Sequence, residues 1–172
     1  MAEYEIKYAS VEDEALLCDI FIEHITRHNE YISHGEIQMG VGVGQIADGT
    51  LRAVPSPDAR KNWMKYIHGN IMDEEGAVVY KAVLPSGNIA GFCVAEIAED
   101  GADPFGMVCD VLVKEECRQA GMGTELLNHA VNWLKSKGIS DIYLESGLQN
   151  HAAHEYFKRR GFVKVSEIYK LA

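Results

Sequence analysis

The residues best suited to chemistry lie between positions 107 and 124, where the apolar run Met107 to Val113 leads through Lys-Glu-Glu-Cys into Arg118-Gln119-Ala120-Gly121-Met122-Gly123-Thr124. Glycines let main-chain N–H groups approach a ligand with no Cβ in the way, and the start of the helix that follows adds roughly half a positive charge. Together they form a cradle for a pyrophosphate. R-x-x-G-x-G alone is a weak signal, because a glycine turn ahead of a helix is more often only a turn, so its neighbours must decide.

Two carboxylates come next. Asp110 interrupts the apolar strand 107–113 on the face of Val108 and Leu112, and Glu96 shares its strand face with Phe92 and Val94. An unpaired buried carboxylate is costly. If the turn between the two strands is centred near Asp103, Glu96 and Asp110 are cross-strand neighbours and raise each other's proton affinity, which suits a base or a cation clamp. Exposure to solvent, or an ion pair with a helix, is the structural alternative. His24 and His28 stand at i,i+4 without the Glu of a zinc protease or a third ligand and read as exposed helix residues. His151 and His154 are no better placed, so no metal is expected. Gly40-Val-Gly-Val-Gly44 reads as a loop, and Lys158-Arg159-Arg160 as a solvated cluster at a helix C-terminus in preference to a phosphate contact. Cys18, Cys93, Cys109 and Cys117 stand singly and read as free thiols.

The elements that must position these residues follow from periodicity. A strand is expected over 4–9, then a helix capped by Ser10 with Leu16, Leu17, Ile20, Phe21 and Ile25 on one face. From 34 to 57 the pattern is lost, and a connection that long suits a binding loop or lid. A helix over 58–70 turns Trp63, Tyr66 and Ile67 inward. Strands over 77–84 and 88–98 flank Pro85-Ser86-Gly87, and the strand 107–113 precedes a helix carrying Leu126, Leu127, Ala130, Val131 and Leu134 that stops at Lys137-Gly138. Strand 141–146, helix 150–160 and a terminal strand 162–171 complete a mixed α/β sheet.

The chain has 172 residues, 47% hydrophobic and 24% charged, room for one domain with a real core. No stretch approaches the roughly 18 apolar residues of a membrane span, and residues 1–10 lack signal-peptide character, so a cytoplasmic protein away from membranes is expected. The net charge of −10 argues against a nucleic-acid binder. That charge is uneven: residues 1–106 carry 7 basic and 18 acidic side chains, residues 107–172 carry 9 and 8. The two halves suit partners of different charge.

The order of motifs resembles the GNAT superfamily of acetyl-CoA-dependent N-acetyltransferases: an apolar strand, Arg118-x-x-Gly121-x-Gly123, an amphipathic helix, Ile142-Tyr-Leu144, Asn150-x-x-Ala153 and Gly161-Phe162. The resemblance is good over roughly 77–168 and loose before it. It implies a mixed, mostly antiparallel sheet flanked by helices and splayed at its centre, with residues 1–76 on the substrate side and 77–172 binding acetyl-CoA. The cofactor contacts it implies fall on Arg118, Gln119, Ala120, Gly121, Met122, Gly123 and Thr124 for the pyrophosphate, on the backbone of Val111, Leu112 and Val113 for the pantetheine, and on Asn150. Phe157 stands where the family often keeps a Tyr as general acid; Tyr156 is one residue early, about 100° round the helix. The implied reaction is direct transfer of acetyl to a primary amine, with Asp110 and Glu96 as candidate bases and acylated Cys109 or Cys117 the less favoured route. The charge split points to a small cationic amine. Protein N-termini or lysines are the alternative acceptors, a CoA-binding sensor without catalysis is the alternative class, and a homodimer is left open.

Overall fold

The computed structural model describes residues 3–118 and 121–172. Seven strands and five helices follow one another as β1 (Glu5–Tyr8), α1 (Glu14–Arg27), α2 (His34–Gln38), β2 (Gly42–Ala47), β3 (Thr50–Pro55), α3 (Ala59–Met72), β4 (Ala77–Val83), β5 (Ile89–Ala98), β6 (Phe105–Val113), α4 (Met122–Ser136), β7 (Ile142–Leu144) and α5 (His151–Lys158). The main sheet runs β1-β4-β5-β6-β7, antiparallel except for the last pair. Parallel neighbours need a crossover, and α4 supplies it.

Helices cover both faces of this sheet, which is why β5 reads as a nearly unbroken apolar run. On one face Leu17, Phe21, Ile25, Trp63 and Ile67 from α1 and α3 pack on Phe92, Val94 and Leu112, with Phe21 and Trp63 stacked 4.6 Å apart. On the other, Leu126, Leu127, Ala130 and Leu134 of α4 pack on Tyr80, Cys93 and Val108.

Three expectations need correction. Residues 34–57 are structured: Ser33 and Glu36 form a capping box that starts α2, and β2 and β3 pair around Asp48-Gly49, whose φ values of 51° and 73° give the left-handed two-residue turn that suits a hairpin. Residues 162–172 form no strand, because a strand needs a partner ladder and none lies beside them. The β5–β6 register also differs from simple opposition. Val94 pairs with Asp110 but Ala95 with Val108, so Cys109 is an extra, bulged residue, and Glu96 pairs with Met107. The bulge resets the alternation of β6: Val108 belongs to the core under α4, while Cys109 and Leu112 belong to the core under α1 and α3.

Candidate active site

β6 and β7 pair only at Gly106, Met107 and Val108 with Ile142, Tyr143 and Leu144. Beyond Val108, at the bulge, β6 runs on to Val113 while β7 ends, and the two strands part. The opening is a narrow slot of about 50 Å³. Cys109 and Val111 wall it on the β6 side, Leu144, Glu145 and Ser146 on the β7 side, with Asn150 and Phe157 from α5 and Tyr31 and Glu36 from the N-terminal segments. The edge of β6 that β7 leaves unpaired turns its carbonyls to side-chain donors: Tyr31 Oη donates to Val111 O at 3.4 Å and Arg118 Nε to Val113 O at 3.1 Å.

At the far end of β6 lies the glycine turn. Gly121, at φ 79°, is the left-handed residue before α4, and the first helical bond runs from Glu125 N–H to Gly121 C=O. The amides of Met122, Gly123 and Thr124 therefore have no partner within the helix. A Cβ added at Gly123 meets only Val113 Cγ2 at 3.5 Å and Tyr156 Oη at 3.7 Å, ordinary contacts, so packing does not require glycine there. A ligand drawn against those amides would. Met122 is buried and offers its amide alone. Thr124 accepts from Tyr156 Oη at 3.4 Å and from Arg160, whose guanidinium lies 3.6 Å over the Tyr156 ring. Gln119 and Ala120 lie outside the described residues.

Asp110 is 4% exposed. Tyr66 Oη donates to its Oδ2 at 2.8 Å, while Oδ1 is buried with no hydrogen-bond partner among the described residues. Burial first, and then the charge of Glu36, push its carboxyl up to about 7; the Tyr66 bond holds it lower than it would otherwise be. Glu36, itself buried, accepts from Ser33 N at 2.6 Å and is likewise shifted upward by burial. Glu96 shares the sheet face of Asp110 without standing opposite it, and lines an open cavity of about 470 Å³ with Tyr66, Asn70, Asp73 and Lys65. Tyr66 thus touches both the cavity and Asp110. Burial pushes the Cys93 and Cys109 thiols far up, so neither is a thiolate at neutral pH.

The structure brings Asp110, Val111, Asn150 and Phe157 together around the slot or beside it, and Gly121 to Thr124 at its end. Asn150 caps α5, its Oδ1 accepting from Ala153 N at 3.3 Å, which leaves the amide donors free. Sequence reasoning missed Glu36, Tyr66 as the partner of Asp110, Tyr31, Glu145 and Arg160. Of these, Glu36 had a visible signal in Ser33-x-x-Glu36, and Arg160 one in its i,i+4 spacing from Tyr156. His24 and His28 are half-buried rather than exposed, their rings 5.0 Å apart, and His28 bonds Glu115. Among the described residues no group of His, Cys, Asp or Glu is arranged to hold a metal, and no helix is long and apolar enough to cross a membrane.

A mixed sheet parted between two parallel strands, with helix amides that have no partner within α4 at the end of the parting, offers a place for a long phosphate-bearing ligand. The chain belongs to the acetyltransferase (GNAT) family, which it matches over residues 48–162. It is 28% identical to an uncharacterised N-acetyltransferase of Methanocaldococcus jannaschii over 60% of this chain and 46% of that one. It is 27% identical to the ribosomal protein bS18-alanine N-acetyltransferase of Escherichia coli over 45% and 49%. The chain thus spans about half the length of these relatives. Among solved structures it resembles a predicted acetyltransferase from Clostridium acetobutylicum with acetyl-CoA, at TM-score 0.71 and 18% identity over 99% of this chain and 96% of that one. An aminoglycoside N-acetyltransferase in complex with CoA superposes at TM-score 0.67 and 12% identity over 100% and 95%. At these identities the likeness is one of fold.

Proposed function

We propose that the protein transfers the acetyl group of acetyl-CoA directly to a primary amine of a small cationic molecule. The observation that carries this reading is Tyr66, which lines an open cavity bearing Glu96 and Asp73 and whose hydroxyl donates to a buried carboxyl ionising near neutrality. A cavity of about 470 Å³ is of the size that takes a small molecule.

The residues present fit acetyl-CoA. The amides of Met122, Gly123 and Thr124 with Arg118 and Arg160 take the pyrophosphate, the free edge at Val111 to Val113 takes the pantetheine, and Asn150 donates to it. The acceptor arrives as an ammonium and must lose a proton before its lone pair can attack. In the reaction the amine nitrogen bonds the acetyl carbon, the carbon–sulfur bond breaks, and the electron pair leaves on sulfur. Two protons leave nitrogen: the first passes to Tyr66 Oη as the Tyr66 proton passes to Asp110 Oδ2, so the tyrosine relays without ionising, and the second, shed as the carbon–sulfur bond breaks, goes through solvent to the departing thiolate. Glu96 and Asp73 hold the cation. Phe157 offers no hydroxyl to the departing sulfur, but a thiolate with a conjugate acid near pKa ~8.5 leaves without one. Because Cys109 is held as a thiol, transfer through an acyl-cysteine is disfavoured.

Release of free CoA thiol across an amine panel tests the proposal. Polyamine-like and aminoglycoside-like cations should be turned over well, and neutral or anionic amines poorly. Faster turnover of peptides with free N-termini would instead assign the protein to the acceptor class named for its Escherichia coli relative.

A further inference from the structure

Asp110 Oδ1 is buried and has no donor among the described residues, although Oδ2 of the same carboxyl takes the Tyr66 hydroxyl at 2.8 Å. A second tyrosine stands beside it. After burial, the charge of Asp110 is the largest influence on the Tyr31 hydroxyl, and Tyr31 in turn bears on the ionisation of Asp110. Yet that hydroxyl donates elsewhere, to Val111 O at 3.4 Å, which is long against the about 2.8 Å usual for a hydroxyl donor. The carbonyl it uses lies on the β6 edge that β7 leaves free, and Tyr31 and Val111 both wall the slot.

The backbone around Tyr31 is pinned. A Cβ on Gly147 would collide with the carbonyl of Glu30 and press on that of Ile32, so the glycine lets the residues on either side of Tyr31 pack on the loop after β7. His28 bonds Glu115 ahead of the glycine turn, and the Tyr31 ring meets His24 edge-on with centroids 4.7 Å apart. Burial keeps the His24 imidazole neutral, at about 4, so it adds no charge beside the tyrosine. What is left to move is the hydroxyl. If a pantetheine amide takes the Val111 carbonyl, Tyr31 becomes a buried donor without an acceptor next to a buried acceptor without a donor, and pairing them relieves the cost of both.

We propose that Tyr31 is a positioning residue that couples the free edge of β6 to the base: when acetyl-CoA binds, its hydroxyl leaves Val111 O and donates to Asp110 Oδ1. The inference rests on the proposed function, which takes Asp110 as the base and the edge as the pantetheine site. Asp110 then holds a tyrosine hydroxyl on each oxygen, against the opposing charges of Glu36 on α2 and Glu96 on β5. Cys93 and Cys109 also face it, and burial keeps both as thiols. A donor gained by the carboxylate lowers its proton affinity, so a proton passes from Asp110 to solvent as acetyl-CoA binds. The carboxyl is thereby ready to receive the amine's proton once an acetyl group is in place, and more protonated when none is.

Calorimetry of acetyl-CoA binding to the full chain, in two buffers of unlike ionisation enthalpy and with no acceptor present, counts the protons released. At pH 7 the wild-type chain should release roughly several tenths of a proton more than Asp110→Asn does. Tyr31→Phe keeps the ring and should still bind acetyl-CoA, but release no more than Asp110→Asn. Carbon-13 titration of the Asp110 carboxyl in the wild-type chain gives a second reading that needs no variant: its proton affinity should fall roughly tenfold on saturation with acetyl-CoA. A Tyr31→Phe chain that binds and releases protons as wild type does overturns the proposal, as does a wild-type Asp110 whose titration acetyl-CoA leaves unmoved or raises. Acetyl-CoA that fails to bind the wild-type chain overturns the proposed function itself, whereas binding without release from Asp110 overturns only the role of Tyr31.

Discussion

Asp110 has lost its hydration and faces the charges of Glu36 and Glu96, so both desolvation and like charge oppose its ionisation, while the hydroxyl of Tyr66 favours the carboxylate. Its neighbours therefore tune it in opposite directions. Tyr66→Phe removes the hydrogen bond that favours the carboxylate and, if Asp110 is the base, should move the ascending limb of the pH–kcat/KM profile upward. It should also lower kcat by on the order of a hundredfold if the hydroxyl relays the proton. Glu36→Gln removes the like charge while keeping the reach of a capping-box side chain, and should move the same limb down. Shifts of one sign in both variants would separate the limb from Asp110. Stability gives an independent reading. A carboxyl whose folded value lies above its ordinary 3.8 favours the fold below 3.8 and loses that contribution as pH rises through about 7. Asp110→Asn carries no such loss, so its melting temperature should gain on wild type across that interval. Each tenfold in proton affinity is about 1.4 kcal/mol, making the gain a few kcal/mol at most.

Among the elements, β5 is legible as a long apolar run, β6 as an apolar strand leading into the glycine turn, and α4 as a long amphipathic repeat with that turn at its start. The bulge is not. Nothing in Met107 to Val113 marks Cys109 as the extra residue, yet that one residue shifts Asp110 from opposite Cys93 to opposite Val94, onto the other face of the sheet, and sits where β6 and β7 part; the turn itself is centred before Asp103, which separates Asp110 from Glu96. The hairpin β2–β3 is written in Asp48-Gly49, but Gly40, Gly42 and Gly44 mask it because glycines inside a strand weaken the alternation that marks one. Tyr66 was recognised as an inward residue of α3, but its partner is 44 positions away and only the packing of α3 on the sheet joins them. The glycine turn yields a test with two signs. Gly123→Ala adds a methyl that meets no close neighbour in the protein and improves helix propensity. Stability should hold or rise by up to about 1 kcal/mol, while calorimetric affinity for acetyl-CoA drops at least tenfold. Gly121→Ala would confound this, because its φ of 79° is strained for any side chain. Phe157→Tyr places a hydroxyl on the slot wall and should leave folding unchanged while raising the rate of thiolate departure; an unchanged single-turnover rate would show that thiolate departure is not limiting.

At the scale of the molecule, the charge asymmetry visible in the sequence takes a spatial form. Residues 1–106 carry a net −11 and contribute the lining of the open cavity beside Tyr66, where Glu96 and Asp73 outnumber Lys65. Residues 107–172 carry a net +1 and contribute the glycine turn with Arg118 and Arg160. On the proposed function, such a field would draw a cationic acceptor toward one side of the parted strands and polyanionic acetyl-CoA toward the other. Its long-range part decays over a Debye length of about 8 Å at physiological ionic strength and is screened further by added salt. For a cationic acceptor, kcat/KM should therefore fall as salt rises, with most of the loss in KM, because encounter weakens while the buried Asp110–Tyr66 pair is shielded from the ions. The slope should grow with the acceptor's charge, being steeper for a tri- or tetra-amine than for a monoamine of similar size. Glu96→Gln should flatten it without shifting the pH limb as far as Glu36→Gln does, since Glu36 weighs more heavily on Asp110 than Glu96 does. A preferred acceptor that is anionic, or a kcat/KM for polyamines indifferent to salt, would show that the acidity of residues 1–106 serves the solvated surface alone.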